Sequence, residues 1–168
     1  LIAAQSDKQI QEALALLNSV ADPAVFDLSR RDADTRREDL SKLFLRSALF
    51  SYGVFVVDAK GQVMWSEPHL RFPEGKELPG YDSLLGGLQS RQAQVSDMLI
   101  HPQTGIPLVV LAVPVTDQNG ELVGAVGSAG DLSAGNLSLP LEPVTLGRTG
   151  YAEIVDRVAF GCAACRQD

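Results

Sequence analysis

The residues best suited to covalent or metal chemistry are Cys162 and Cys165, the two cysteines of a 168-residue chain. Their spacing fits a redox pair, half of a zinc site, a disulfide or an incidental terminal segment. No His follows the second cysteine, so covalent haem attachment is not supported, and a four-ligand zinc site would have to recruit His69 or His101 from far along the chain. Both histidines flank prolines in predicted loops. Neither stands in a Ser or Cys nucleophile pattern or beside carboxylates paired for acid–base work. A hydrolase built on His101 and Asp97 is therefore the weakest reading, and no catalytic residue, metal or cofactor is expected.

Binding chemistry is better represented. Arg71 carries a planar fork that suits a carboxylate, and Asp131 would suit an amine. Trp65 and Tyr81 each put a polar tip on an apolar body, and His101 joins them as a further candidate for the lining of a pocket. Asp58, Asp117 and Asp156 sit where turns use an Asp side chain to hold the main chain. Gly124 and Gly127 leave room for the close approach of a backbone or a ligand.

Composition narrows the partners. With 45% hydrophobic and 21% charged residues the chain is of ordinary globular type. A net charge of −7 argues against nucleic acid, and the cluster Arg30, Arg31, Arg36 and Arg37 is interleaved with Asp32, Asp34, Glu38 and Asp39. No run reaches the roughly 18 apolar residues that span a bilayer. The opening Leu1-Ile2-Ala3-Ala4, without Met and already in an amphipathic pattern, reads as part of a longer protein.

The elements that must position these residues follow from periodicity. Ile10, Ala13, Leu14, Leu17 and Val20 mark one face of a helix closed by Asp22-Pro23, and Thr35 to Glu38 opens a second helix through Leu40, Leu43, Phe44 and Ala48. The first stripe could instead serve a homodimer through the N-terminal helix. Val54 to Val57, the turn Asp58 to Gly61, and Gln62 to Ser66 form a hairpin; Leu108 to Val115, Asp117 to Gly120 and Leu122 to Gly127 form another. Gln94 to Ile100 reads as one further strand, and 127 to 140 as a connector. Strands apolar on both faces need cover on both sides. Helices supply one cover; the Pro- and Gly-bearing excursion 67 to 93, with one short helix, supplies the other and leaves the natural place for a ligand cavity. Gly150 to Asp156 repeats the pattern of Gly53 to Asp58.

The strings YGVFVVDAKGQVMWSEP, HPQTGIPLVVLAVPVTDQNGELVGAVGSAGDL and LGRTGYAEIVD, in this order, resemble the double Cache family of extracytoplasmic sensor domains. The resemblance covers residues 1 to 156. It implies an α+β fold: a PAS-like antiparallel sheet of about five strands with a long N-terminal helix. It divides the chain into N-terminal helices (1–52), a membrane-distal PAS-like sensor domain (53–138), and a connector with the incomplete start of a membrane-proximal domain (139–168). It implies small-molecule sensing for a membrane-bound histidine kinase, chemoreceptor or cyclic-dinucleotide enzyme, with a dimerisation or interaction module lacking a ligand as the rival. The expected ligand is an organic acid or an amine, lined by Trp65, Arg71, Tyr81, His101 and Asp131. In amino-acid-binding members an aromatic and Arg cluster in the excursion and an Asp before the Thr-Gly turn hold the ligand; here Ser83 to Gln89 and His101 stand at those places.

Overall fold

The computed structural model describes residues 2–23 and 33–134. The expected repeat at 150–156, the connector beyond Ala134, and Cys162 and Cys165 lie outside the described residues.

Helix α1 (Ile2–Asn18) and helix α2 (Ala33–Phe44) precede the sheet. The predicted stripe of α1 is real and faces inward: Ala13 and Leu17 are buried, and Ile10 and Leu14 pack half-buried against the same core. The surface offered by the sequence for a partner helix is thus occupied by the chain's own sheet. Helix α1 ends where the Ser19 hydroxyl donates to the Leu16 carbonyl at 2.7 Å, two residues ahead of the pair Ala21-Asp22 and Pro23. On the exposed side of α2, Lys42 pairs with Glu38 at 3.0 Å, an i,i+4 arrangement that contributes a few tenths of a kcal/mol. Among the described residues no helix is long and apolar enough to cross a membrane.

Six strands make one antiparallel sheet: β1 (Gly53–Asp58), β2 (Val63–Glu67), β3 (Gln94–Val95), β4 (Leu99–Ile100), β5 (Pro107–Thr116) and β6 (Leu122–Asp131). Their order is β2-β1-β6-β5-β3, with β4 also on β5. Both hairpin turns form as their sequences require. The Asp58 carboxylate accepts from the amides of Lys60 and Gln62, each at 2.9 Å. Asp117 does the same for Asn119 and Glu121 at 2.8 and 2.9 Å. Gly61 and Gly120 close these turns at φ of 80° and 81°, a region costly to residues with a Cβ.

The sheet carries a core on each face. Val54, Val56, Trp65, Leu111, Val113 and Val126 meet α1, α2 and the short 3-10 turn Ala48–Phe50 on one side. Phe55, Val57, Val63, Leu108, Val110 and Ala125 meet the excursion on the other. Burying each of the larger aliphatic or Phe side chains contributes about 1.5–3 kcal/mol. Helix α3 (Tyr81–Gln89) is the expected short helix of the excursion and anchors it through Tyr81, Leu84 and Leu88. The segment before α3 is bound to the β2 edge: the Val63 amide donates to the Lys76 carbonyl at 2.8 Å, and the Ser66 hydroxyl to the Phe72 carbonyl at 2.7 Å.

Two boundaries differ from expectation. The strand expected over 94–100 is broken into β3 and β4. Between the pairs Val95↔Leu111 and Leu99↔Leu108 the outer chain has one residue more than β5, and Ser96 absorbs it, its hydroxyl accepting from the Val110 amide at 2.9 Å. Strand β6 runs past Gly127 to Asp131, because its small residues are needed inside the sheet: a Cβ on Gly127 would lie 2.5 Å from the Phe55 ring and 2.6 Å from the Leu111 carbonyl oxygen.

Candidate ligand cavity

The site grows from the end of the sheet where the excursion meets the turn between β4 and β5. Tyr52 enters β1 here, and its amide donates to Ala129 at 2.9 Å. Its ring lies on the excursion side, edge-on to Phe72 with centroids 5.5 Å apart. Phe72 in turn meets Phe55 at 5.3 Å, also edge-on. His101 completes the group, 5.4 Å from the Tyr52 ring and 6.2 Å from Phe72. Such edge contacts place the positive rim of one ring against the negative face of the next.

Arg71 caps this cluster, with its guanidinium carbon 4.5 Å from the Tyr52 ring centroid. The contact is a cation–π pair in which the ring face attracts the guanidinium charge. Between Arg71, Phe72, His101, Lys76, Glu77 and Gln103 lies a cavity of about 80 Å³. Lys76, Glu77 and Gln103 are exposed and form its mouth, whereas His101 is only 3% exposed.

The electrostatics of His101 are set by its surroundings. Burial pushes its pKa below the usual 6.5, and a main-chain hydrogen bond with Arg71 offsets part of that. The imidazole is therefore neutral at neutral pH. Its Nδ1 is buried and has no hydrogen-bond partner among the described residues. A buried polar atom left unsatisfied costs about 1–3 kcal/mol. Among the described residues no Ser or Cys nucleophile is bonded to it, and no cluster of three or more His, Cys, Asp or Glu side chains could hold a metal.

The five residues expected to line the ligand do not all meet. Arg71 and His101 share the cavity. Tyr81 is buried on the same face, but at the β1–β2 turn, where its hydroxyl donates to the carbonyls of Asp58 and Ala59 at 3.4 Å each. Burial, and then the charge of Asp58, raise its pKa above the usual value. Asp131 ends β6, and its carboxylate accepts from the Ser133 amide at 2.8 Å and from the Ser133 hydroxyl, capping the 3-10 turn Leu132–Ala134. It does not line the cavity.

Trp65 lies on the opposite face, 6% exposed in the core beneath α1 and α2. The cause is a bulge. Val56 pairs with Trp65 and Val57 with Val63, so Met64 is the extra residue and reverses which side its neighbours take. Alternation without the bulge puts Trp65 beside Val63, under the excursion.

Tyr52 and Phe72 are the members that the sequence did not reveal. Counted at period two from Val54 and Val56, Tyr52 belongs to the helix side, and Phe72 stands in a segment with no period at all. The one available signal was an aromatic or imidazole ring in each of three chain segments that the hairpins bring to the same end.

No protein-family model and no curated protein sequence matches the chain. Solved structures do. The ligand-binding domain of the Pseudomonas aeruginosa PAO1 amino acid chemoreceptor PctC, in complex with GABA, aligns with a TM-score of 0.63 at 20% identity, over 96% of this chain and 70% of that one. The sensor domain of E. coli DcuS gives 0.61 at 18% identity, over 82% of this chain and 97% of that one. The sensor domain of the V. cholerae histidine kinase DctB gives 0.57 at 13% identity, and there the chain spans 56% of the matched length. The chain thus shares its fold with these ligand-binding and sensor domains of a chemoreceptor and a histidine kinase.

Proposed function

We propose that this chain is the extracytoplasmic small-molecule sensing module of a membrane-bound signal-transduction receptor, and that residues 53–138 are its membrane-distal domain, followed by the start of a second in 139–168. The observation that carries the reading is the cavity under the excursion, lined by Arg71, which lies over the Tyr52 ring, and by the buried His101, on a Cache-type scaffold. A ligand there touches the excursion, the β4–β5 turn and the start of β2 together. It shifts the module between two arrangements through its different affinity for each.

The test is a thermal-shift and calorimetric screen of the purified chain against organic acids, amino acids and amines. A binder whose affinity is lost in Arg71→Met and in His101→Phe is expected. Absence of any binder overturns the reading.

The rival, an interaction module with no small ligand, has one observation in its favour. The excursion side is filled by Tyr52, Phe55, Phe72 and Tyr81, and 80 Å³ is far below the roughly 300 Å³ at which drug-sized pockets begin. The same screen separates the two, together with sedimentation at high concentration, in which the rival requires a dimer.

A further inference from the structure

We propose that the hairpin joining β4 to β5 is a proton-operated flap, docked on the rings of Tyr52 and Phe72 while the imidazole of His101 is neutral and released when that ring carries a charge. Such a flap is independent of which ligand, if any, the module senses.

The hairpin is lightly held. Strand β4 contributes two residues, Leu99 and Ile100, which pair with Leu108 and Pro107 of β5 at the outer side of the sheet. Leu99 and Ile106 pack half-buried at its base, whereas Ile100 is 57% exposed and Pro102, Gln103, Thr104 and Gly105 are exposed as well. His101 is the one buried side chain between Leu99 and Pro107. Within the turn its amide donates to the Ile106 carbonyl and its carbonyl accepts from the Gly105 amide, each at 2.9 Å, so the tip is a closed unit that can move as one. The tip is tied to the rest of the chain by the His101 ring against Tyr52 and Phe72, a main-chain hydrogen bond of that ring with Arg71, and a 3.5 Å contact between the hydroxyls of Thr104 and Tyr52. Three of these four ties run through one imidazole.

A charge on that imidazole would have nothing to meet it. Ahead of β1, Tyr52 offers a ring. From the excursion, Arg71 lies over the same ring and is already positive, while Lys76 and Glu77 stand exposed with opposite signs. Pro102 to Ile106 in the turn and Pro107 and Leu108 of β5 carry no ionisable group. Asp131, opposite Leu108 at the end of β6, is bonded to Ser133. Nδ1 is buried without a partner among the described residues, so a doubly protonated ring would leave an N–H there unmatched. A buried ion with neither counter-charge nor acceptor is costly, and water supplies what the docked site lacks. The docked state therefore refuses a proton that the open state accepts. Burial holds the docked ring below the 6.5 of an exposed histidine, so docking is fully supported above that pH and weakens as pH falls toward the docked value. Pro102 and Gln103 line one side of the cavity and leave with His101, which uncovers Phe72 and Val63.

The experiment is hydrogen exchange of the full chain followed by NMR from pH 7.5 to pH 5, with rates corrected for intrinsic exchange. The amides of His101 and Gly105 should exchange faster than those of Val63 and Leu78, which anchor the excursion, at every pH. Their opening should increase about fivefold or more over this range. His101→Phe keeps a ring in the group and should remove the acid rise, its melting curve reporting whether it folds; His69→Gln, at an exposed site, should leave the rise intact. Equal protection of the four amides in the native chain would mean that the hairpin opens only with the whole molecule, and overturns the flap without using any variant. A flat response to pH, a rise that persists in His101→Phe, or a rise lost in His69→Gln overturns the role of the proton on His101.

Discussion

Arg71 and Tyr52 form a stacked pair, the guanidinium carbon 4.5 Å from the ring centroid, while the same ring touches Phe72 and His101 on its other contacts. The Tyr hydroxyl contributes little, being 3.5 Å from the Thr104 hydroxyl. Tyr52→Phe should therefore leave stability within about 0.5 kcal/mol. Tyr52→Leu removes both the stacking and the edge contacts and should cost about 1–3 kcal/mol in urea unfolding. Equal effects of the two substitutions would show that the ring is not what matters.

Trp65 is the single tryptophan, so it reports one place in the molecule. Its burial under α1 and α2 predicts blue-shifted emission that a ligand beneath the excursion leaves unchanged. Leu17→Asp, which puts a charge into the same core, should move the emission to the red. A ligand-induced shift in the native chain would place the ligand, or its structural response, on the helix face.

Acid should weaken the fold through His101. Its folded pKa lies below the 6.5 of the exposed side chain because burial penalises the charged ring. Below about pH 6.5 the unfolded chain takes up a proton that the folded chain refuses, so this contribution is complete above that pH and is lost as pH falls toward the folded value. Unfolding free energy measured between about pH 7.5 and pH 5 should decline in the native chain and decline less in His101→Phe. Identical slopes would remove His101 from the account.

Two glycines should respond in opposite directions to alanine. Gly127 has no room, with the Phe55 ring and the Leu111 carbonyl against the position of a Cβ, and Gly127→Ala should cost about 2 kcal/mol or more. Gly86 sits inside α3 with nothing within 4 Å, and Gly86→Ala should stabilise by about 0.5–1 kcal/mol. Thermal melts of the pair check both.

Truncation after Ser138 should shift the melting temperature by less than about 2 °C, because the buried members of both cores among the described residues end at Ala129. A large fall would move the proposed domain boundary.

What the sequence determined by itself is whatever depends on near neighbours. Alternating β-formers around Asp58–Gly61 and Asp117–Gly120 specified two hairpins, since a turn is decided by its own few residues. The stripe Ala13 and Leu17 specified an inward helical face, and strands apolar on both sides required two covers; both features are present. Arg71 and His101 could be named from their chemistry and from the loops that bear them. Only the tertiary structure decided what meets what. One extra residue at Met64 sent Trp65 to the helix core, a change of side that period-two counting cannot register. Ser133, two residues on, claimed the carboxylate of Asp131, and the carbonyls of the β1–β2 turn claimed the hydroxyl of Tyr81. Tyr52, Phe72 and His101 became one aromatic group because β1, the excursion and the β4–β5 turn end at the same place, and their closeness is a property of the packed sheet rather than of any segment.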